Sequence, residues 1–345
     1  MDIRSLMERE MEELACSLGE KSFRGNQLFQ WVHDKRVTSF DEMSNLSVSF
    51  REKLKEKYTI SGVTQVEKQV SQKGDTAKYL FALQDENVIE SVWMKYHHGN
   101  SVCISSQVGC RMGCTFCAST LTGLTRNLTA GEMLSQIYEI QKDTGERVSN
   151  VIVMGMGEPL DNYDNLLRFL QLVSDEKGIH ISQRNITVST CGLVEQIRRL
   201  AEEKLQITLA ISLHAPNDDI RRQTMPVANK YSIEEILQAC REYFAATGRR
   251  ITFEYSMIRG VNDQKKHAEE LARRLQGLNC HVNLIPLNEV KERECLRSRK
   301  EDIEQFKLVL EKNHRNVTIR REMGNDIDAA CGQLRKKFLT KNGRN

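Results

Sequence analysis

The chain has 345 residues, 39% of them hydrophobic and 28% charged, with 50 Lys and Arg against 47 Asp and Glu and a formal charge of +3. That balance suits a globular protein with a sizeable core, and it excludes nucleic-acid affinity by bulk charge, so any such affinity must come from local patches. No apolar run approaches the ~18 residues of a membrane span, and the opening MDIRSLMEREMEELACSL is too charged for a secretory signal, which points to the cytoplasm.

Residues 1–60 read as a small helical module. MEREMEELACSLG, FRGNQLFQWVHDK and SFREKLKEKY repeat apolar residues at three and four, the period of an amphipathic helix. Lys21, Arg24, Lys35 and Arg36 are candidate phosphate contacts there, or equally a solvated helix face. Residues 61–96 change character. GVTQVEKQV, DTAKYLFALQ and NVIESVWMKY are strand-like, separated by the turn-like QKGD and QDEN, and form a β connector.

Over residues 97–324, apolar strands alternate with amphipathic helices. The strands expected are SVCISSQ, NVIVMGMGE, NITVSTCG, ITLAISLHA, RITFEYSMI and HVNLIPLN; helices include NLTAGEMLSQIYEIQKDTG, SIEEILQACREYFAATG and QKKHAEELARRLQG. Six βα units imply an α/β fold with a parallel sheet, either a partial barrel or a doubly wound sheet. The four prolines, Pro159, Pro216, Pro226 and Pro286, and the polar Glu158, Ser189, Ser212, His214 and Asn288 gather at the C-terminal ends of these strands. This favours the barrel, whose active site lies on that rim. Residues 325–345 form a C-terminal loop and a basic tail, RKKFLTKNGRN, which is either a solvated end or a phosphate contact.

Ten cysteines in a reducing compartment are poor candidates for a disulfide framework, so clustered ones point to metal binding or catalysis. GCRMGCTFCAST sets Cys110, Cys114 and Cys117 in a CxxxCxxC pattern after the first barrel strand. A structural zinc usually takes four protein ligands. A [4Fe-4S] cluster held by three cysteines keeps one iron open to another ligand. Cys331, in NDIDAACGQL, is set between the small Ala330 and Gly332, where a core thiol would have larger apolar neighbours.

The cysteine triad, with Phe116 before its third member, resembles the radical S-adenosylmethionine (SAM) enzymes, whose open iron chelates SAM and whose cluster reduces it to a 5′-deoxyadenosyl radical. GMGEP at 155–159 resembles their SAM-binding motif. CISSQVGCRMGCTFCAST, GMGEPLDNYDN, SLHAPND and GNDIDAACGQL together resemble the dual-specificity RNA methyltransferases of that group, over nearly the whole chain. The resemblance implies a partial (β/α)6 barrel, one [4Fe-4S] cluster on Cys110, Cys114 and Cys117, and SAM contacts at Gly157, Glu158, Ser189, Ser212, Leu213, His214 and Asn288.

The resemblance further implies methylation of adenine C2 in 23S ribosomal RNA, at the equivalent of adenosine 2503, and in transfer RNA at adenosine 37. Two SAM molecules would be consumed per turnover. Cys331 would take a methyl from the first, a radical from the second would activate that methyl group, and the resulting carbon would add to C2 and tether RNA to protein. Glu90 would take the C2 proton, and Cys103 would resolve the thioether, leaving a disulfide for reduction. Such enzymes draw electrons from a flavodoxin or ferredoxin, and a monomer is expected. The related C8 methyltransferases of antibiotic resistance resemble GMGEA and SLHSP, against GMGEP and SLHAP here. An RNA-binding protein with zinc on the three cysteines is the non-catalytic alternative. Cys16, Cys191, Cys240, Cys280 and Cys295 receive no role.

Overall fold

The computed structural model describes residues 2–341 apart from 98, 291, 322, 325 and 328–332. Among these residues the strands are β1 (Thr64–Val70), β2 (Thr76–Ala82), β3 (Val88–Tyr96), β4 (Gly99–Cys103), β5 (Gln107–Gly109), β6 (Leu124–Asn127), β7 (Val148–Val153), β8 (Ile186–Thr190), β9 (Thr208–Ser212), β10 (Ile251–Met257), β11 (Cys280–Pro286) and β12 (Asn316–Ile319). Ten form one sheet in the order β1-β2-β3-β4-β7-β8-β9-β10-β11-β12, and β5 pairs with β6 apart from it. β1 to β4 are antiparallel; β4 and β7 through β12 are parallel. Six βα units run from β4 to β12, and β1 and β12 remain as open edges, so the barrel is partial. The connector strands extend the barrel sheet directly, because β3 pairs with β4.

Local sequence sets the crossover helices. The helix Ala130–Thr144 starts at Thr129, whose hydroxyl accepts from the Glu132 amide while the Glu132 carboxylate accepts from the Thr129 amide, and it stops at Gly145 with φ +67°. Ile233–Thr247 repeats this with Ser232, Glu235 and Gly248. A Ser/Thr-x-x-Glu start and a glycine stop satisfy backbone groups that the helix itself cannot pair. In the N-terminal module, the helices Glu8–Ser17, Phe23–Phe29 and Val48–Lys57 share one continuous core with the barrel helices.

Parallel strands covered by helices on both faces are apolar throughout. Here they alternate. Ile186 and Val188, and Cys280, Val282 and Leu284, are buried toward the helices, while the residues between them are half-exposed. Strand register aligns Ser212, Glu254, Asn283 and Thr318 in one row across β9 to β12. The inner face of the sheet is therefore polar, and it forms a site in place of a second core.

The first barrel strand is shorter than the expected 101–107, and the cysteine loop follows β5. Ser105 interrupts the ladder: its amide donates to Gln136 Oε1 at 2.8 Å and its hydroxyl to the Glu90 carbonyl at 2.7 Å. β12 was not among the expected strands.

Candidate active site

The cysteine loop lies between the strands of the β5–β6 hairpin. Gly109 has φ +78°, and a Cβ there would sit 1.9 Å from the Gly123 carbonyl oxygen, which itself accepts the Cys110 amide at 2.9 Å; only glycine fits this turn. The Thr120 hydroxyl lies 3.0 Å from both the Cys114 and Cys117 carbonyls, and Arg293 donates to Thr120 at 2.9 Å. These ties place Cys110, Cys114 and Cys117 along one wall of a cavity of about 260 Å³.

Strand ends line the same cavity. Gly157, Glu158, Ser189, Ser212, His214 and Asn288 all line the cavity. Gly157 has φ +104°, and a Cβ on it would meet Gln107 Cβ at 2.6 Å, so the turn closes only without a side chain. Glu158 is buried; its Oε2 accepts the Cys191 amide at 2.8 Å and its Oε1 the Leu160 amide at 3.0 Å. Burial pushes its carboxyl up despite these bonds. The Ser189 and Ser212 hydroxyls are 3.3 Å apart. His214 has φ +55°, its Nδ1 accepts the Ser256 amide at 3.0 Å, and its ring meets Phe116 edge-on at 5.1 Å. Burial pushes His214 down to about 3, so it is neutral, with its proton assigned to Nε2 by the Nδ1 bond. Leu213 instead packs in the hydrophobic core, and its carbonyl accepts from Arg221.

Glu90 and Cys103 lie next to the cavity rather than on its wall. Val92 pairs with Cys103 across β3 and β4, so Glu90, two residues along β3, is its diagonal neighbour on the same face. Cys103 packs with Val92, Met94, Ile152 and Met154, and Met154 also lines the cavity. Glu90 Oε2 is 2.8 Å from Lys78 Nζ, and Glu90 Oε1 accepts the Arg335 amide at 2.6 Å. Cys331 lies outside the described residues. No disulfide forms among the described cysteines.

Several cavity residues escaped sequence reading. Cys191, assigned no role, lines the cavity beside the triad and packs with Cys114 and Met225. Glu254 and Arg320 also line it, and Asn283 donates to Glu254 Oε2 at 2.9 Å. Burial pushes Glu254 up. A carboxylate within the apolar run RITFEYSMI was the available signal. In the helical module, Lys21, Lys35 and Arg36 are exposed, Lys35 sits 3.5 Å over the Trp31 ring, and Arg24 5.0 Å from the Phe23 ring centre.

Three thiols on one loop beside a polar cavity suit an iron–sulfur cluster with one open iron. Burial pushes Cys110 up to about 12 and raises Cys114 as well, so metal binding here would displace thiol protons. Among the described residues, no three His, Cys, Asp or Glu side chains are grouped so as to hold a single metal ion.

Residues 104–275 match the radical SAM superfamily, and residues 1–60 match the ribosomal RNA large subunit methyltransferase N-terminal domain. A probable dual-specificity RNA methyltransferase RlmN from Lachnospira eligens is 61% identical over 98% of this chain and 97% of its own length. One of the same description from Lachnoclostridium phytofermentans is 57% identical over 99% and 96%. The crystal structure of a radical SAM methyltransferase from Sphaerobacter thermophilus superposes with a TM-score of 0.92 at 43% identity, over 96% of this chain and 98% of that one. Among the described residues, no helix is long and apolar enough to cross a membrane.

Proposed function

The chain belongs to the RlmN-type dual-specificity RNA methyltransferases of the radical SAM superfamily, and on that premise we propose that it methylates C2 of an adenine in 23S ribosomal RNA and transfer RNA, at the equivalents of adenosines 2503 and 37. The observation that carries this is the cavity itself: three thiols of one loop share it with the strand-end polar groups, and Met154 joins that cavity to Cys103.

Adenine C2 lies between two ring nitrogens and is electron-poor, so it does not attack a methyl sulfonium as a nucleophile would. Cys110, Cys114 and Cys117 would hold a [4Fe-4S] cluster, which would supply the electron for reductive cleavage of SAM, drawn from a flavodoxin- or ferredoxin-type donor. Gly157, Glu158, Ser189, Ser212, His214 and Asn288 would hold the methionine and ribose parts of SAM against it, with Leu213 contributing backbone.

Cys331 would carry the methyl carbon as a thioether; the 5′-deoxyadenosyl radical from SAM would take one hydrogen atom from it, the resulting carbon radical would bond to C2, and the adduct would return one electron to the cluster as it loses the C2 proton. Glu90 takes the C2 proton. The Cys103 thiol then gives up its proton and attacks the Cys331 sulfur, the carbon leaves with the base and takes up a proton to become the methyl group, and a disulfide remains that a thioredoxin-like donor reduces. The Arg335 amide on Glu90 supports this arrangement, because it brings the chain just downstream of Cys331 to the same carboxylate. The enzyme is expected to act as a monomer.

The test is Cys103→Ala. Without the resolving thiol the RNA should stay bound through Cys331, giving a species on denaturing gels that nuclease trims and Cys331→Ala abolishes. Full methylation by Cys103→Ala with no crosslinked species overturns the assignment.

A further inference from the structure

Behind the cysteine loop lies a charge with no partner of opposite sign among the described residues. Arg221 is fully buried, at 0% exposure. Its guanidinium donates only to carbonyls: Nε to Leu213 at 3.2 Å, Nη1 to Tyr231 at 3.5 Å, and Nη2 to Cys191 at 2.5 Å. No described carboxylate pairs with it. Asp218, the carboxylate whose charge it senses, instead accepts the Ile233 amide at 2.7 Å. A buried guanidinium with no counter-charge is costly, and carbonyl dipoles carry no net charge to balance it.

The groups packed beside the helix that bears Arg221 include two thiols of the cavity wall. The Cys191 carbonyl that Arg221 holds belongs to a residue packed against Cys114, and both pack on Met225, which caps the helix that bears Arg221. The helix that bears it, Asp218–Thr224, touches the loop directly: the Thr115 amide donates to the Thr224 carbonyl at 2.9 Å.

We propose that Arg221 is the fixed counter-charge of the iron–sulfur cluster, compensating the negative charge that the cluster and its three thiolates carry and setting the potential at which the cluster accepts an electron. This rests on the cluster assignment made above. Three thiolates around a 2+ core give one net negative charge. One electron from the external flavin or iron–sulfur donor makes it two, with no bond formed or broken in the protein. A cation held in a low-dielectric wall favours the more negative state, so Arg221 raises the potential. Its role is that of a positioning and tuning residue.

The experiment compares the full-length wild-type chain with Arg221→Lys and Arg221→Gln after anaerobic reconstitution with iron and sulfide. Iron per chain is counted, and the reduced cluster is followed by electron paramagnetic resonance during potentiometric titration. Arg221→Lys keeps the charge and should keep the wild-type potential. Arg221→Gln should lower the ratio of reduced to oxidised cluster at least tenfold at a fixed applied potential, which is 59 mV for a one-electron couple. Failure of Arg221→Gln to retain iron while its apo chain stays folded by circular dichroism supports the same role. A Gln variant with wild-type iron and wild-type potential overturns it, as does one unfolded with and without iron, which would make Arg221 a tie between carbonyls. A wild-type chain that takes up no iron overturns the cluster assignment itself.

Discussion

Lys78 Nζ lies 2.8 Å from Glu90 Oε2 on the neighbouring strand, with the two side chains 0% and 3% exposed. With the Arg335 amide on the other oxygen, the Glu90 carboxylate joins β2, β3 and the C-terminal helix Gln333–Lys341. Lys78→Met would leave a buried carboxylate without its ammonium, and urea unfolding should show a loss of about 3–5 kcal/mol. Lys78→Met with Glu90→Leu should recover most of that loss. Glu90→Gln should retain iron yet lose at least about 100-fold in product formation, the usual size of a general-base contribution. Unchanged turnover in Glu90→Gln would remove it from the reaction.

Serine at any one of Cys110, Cys114 or Cys117 should reduce reconstituted iron from roughly four per chain to well below one, because an alkoxide is a poor substitute for a thiolate on these clusters. Far-UV circular dichroism should stay unchanged. Stoichiometric zinc in a colourless wild-type chain would contradict the cluster.

His33 is buried where the helical module meets the barrel, with Nδ1 2.9 Å from the Tyr138 hydroxyl. Burial, helped by the Arg4 charge, pushes it down to about 3. It is neutral in the fold but takes a proton in the unfolded chain below about pH 6.5. Its contribution to stability is therefore complete above that pH and falls toward pH 3, by about 1.4 kcal/mol per unit. His214 acts in the same direction, and Glu158 and Glu254, pushed up by burial, in the opposite one. Comparing wild type with His33→Phe isolates the His33 share. Between pH 6.5 and 5.5 the unfolding free energy of the variant should fall less steeply, by a difference that grows from about half a proton to nearly one. Parallel curves would contradict a neutral His33.

Lys35 and Arg36 are exposed beside the junction of the two regions. If they contact RNA phosphates, alanine at each should lower the slope of log affinity against log salt by about 0.7 for single-stranded RNA. An unchanged slope would make them part of a solvated face.

Much of this molecule could be read from local rules. The Thr129–Glu132 and Ser232–Glu235 helix starts and the alternating β8 and β11 follow from capping and from the period of two. CxxxCxxC and GMGEP sit where strand ends must turn, so Gly109 and Gly157 are explained by backbone geometry. What escaped depends on contacts distant in sequence. Ser105 ends its strand because Gln136 and Glu90 reach it. Cys191 joins the cavity because a later strand end meets the cysteine loop, and Lys78 matters only because β2 lies beside β3. Leu213 was named through its motif, yet its side chain belongs to the core and only its backbone faces the site's supporting network.

The most direct measurement is liquid chromatography with mass spectrometry on nucleosides from 23S ribosomal and transfer RNA. The RNA should come from cells lacking any adenine C2 or C8 methylase, before and after expression of this chain. The expected product is 2-methyladenosine in both RNAs, absent when Cys331 is alanine. Appearance of 8-methyladenosine, or of no methylated adenine at all, would contradict the C2 assignment.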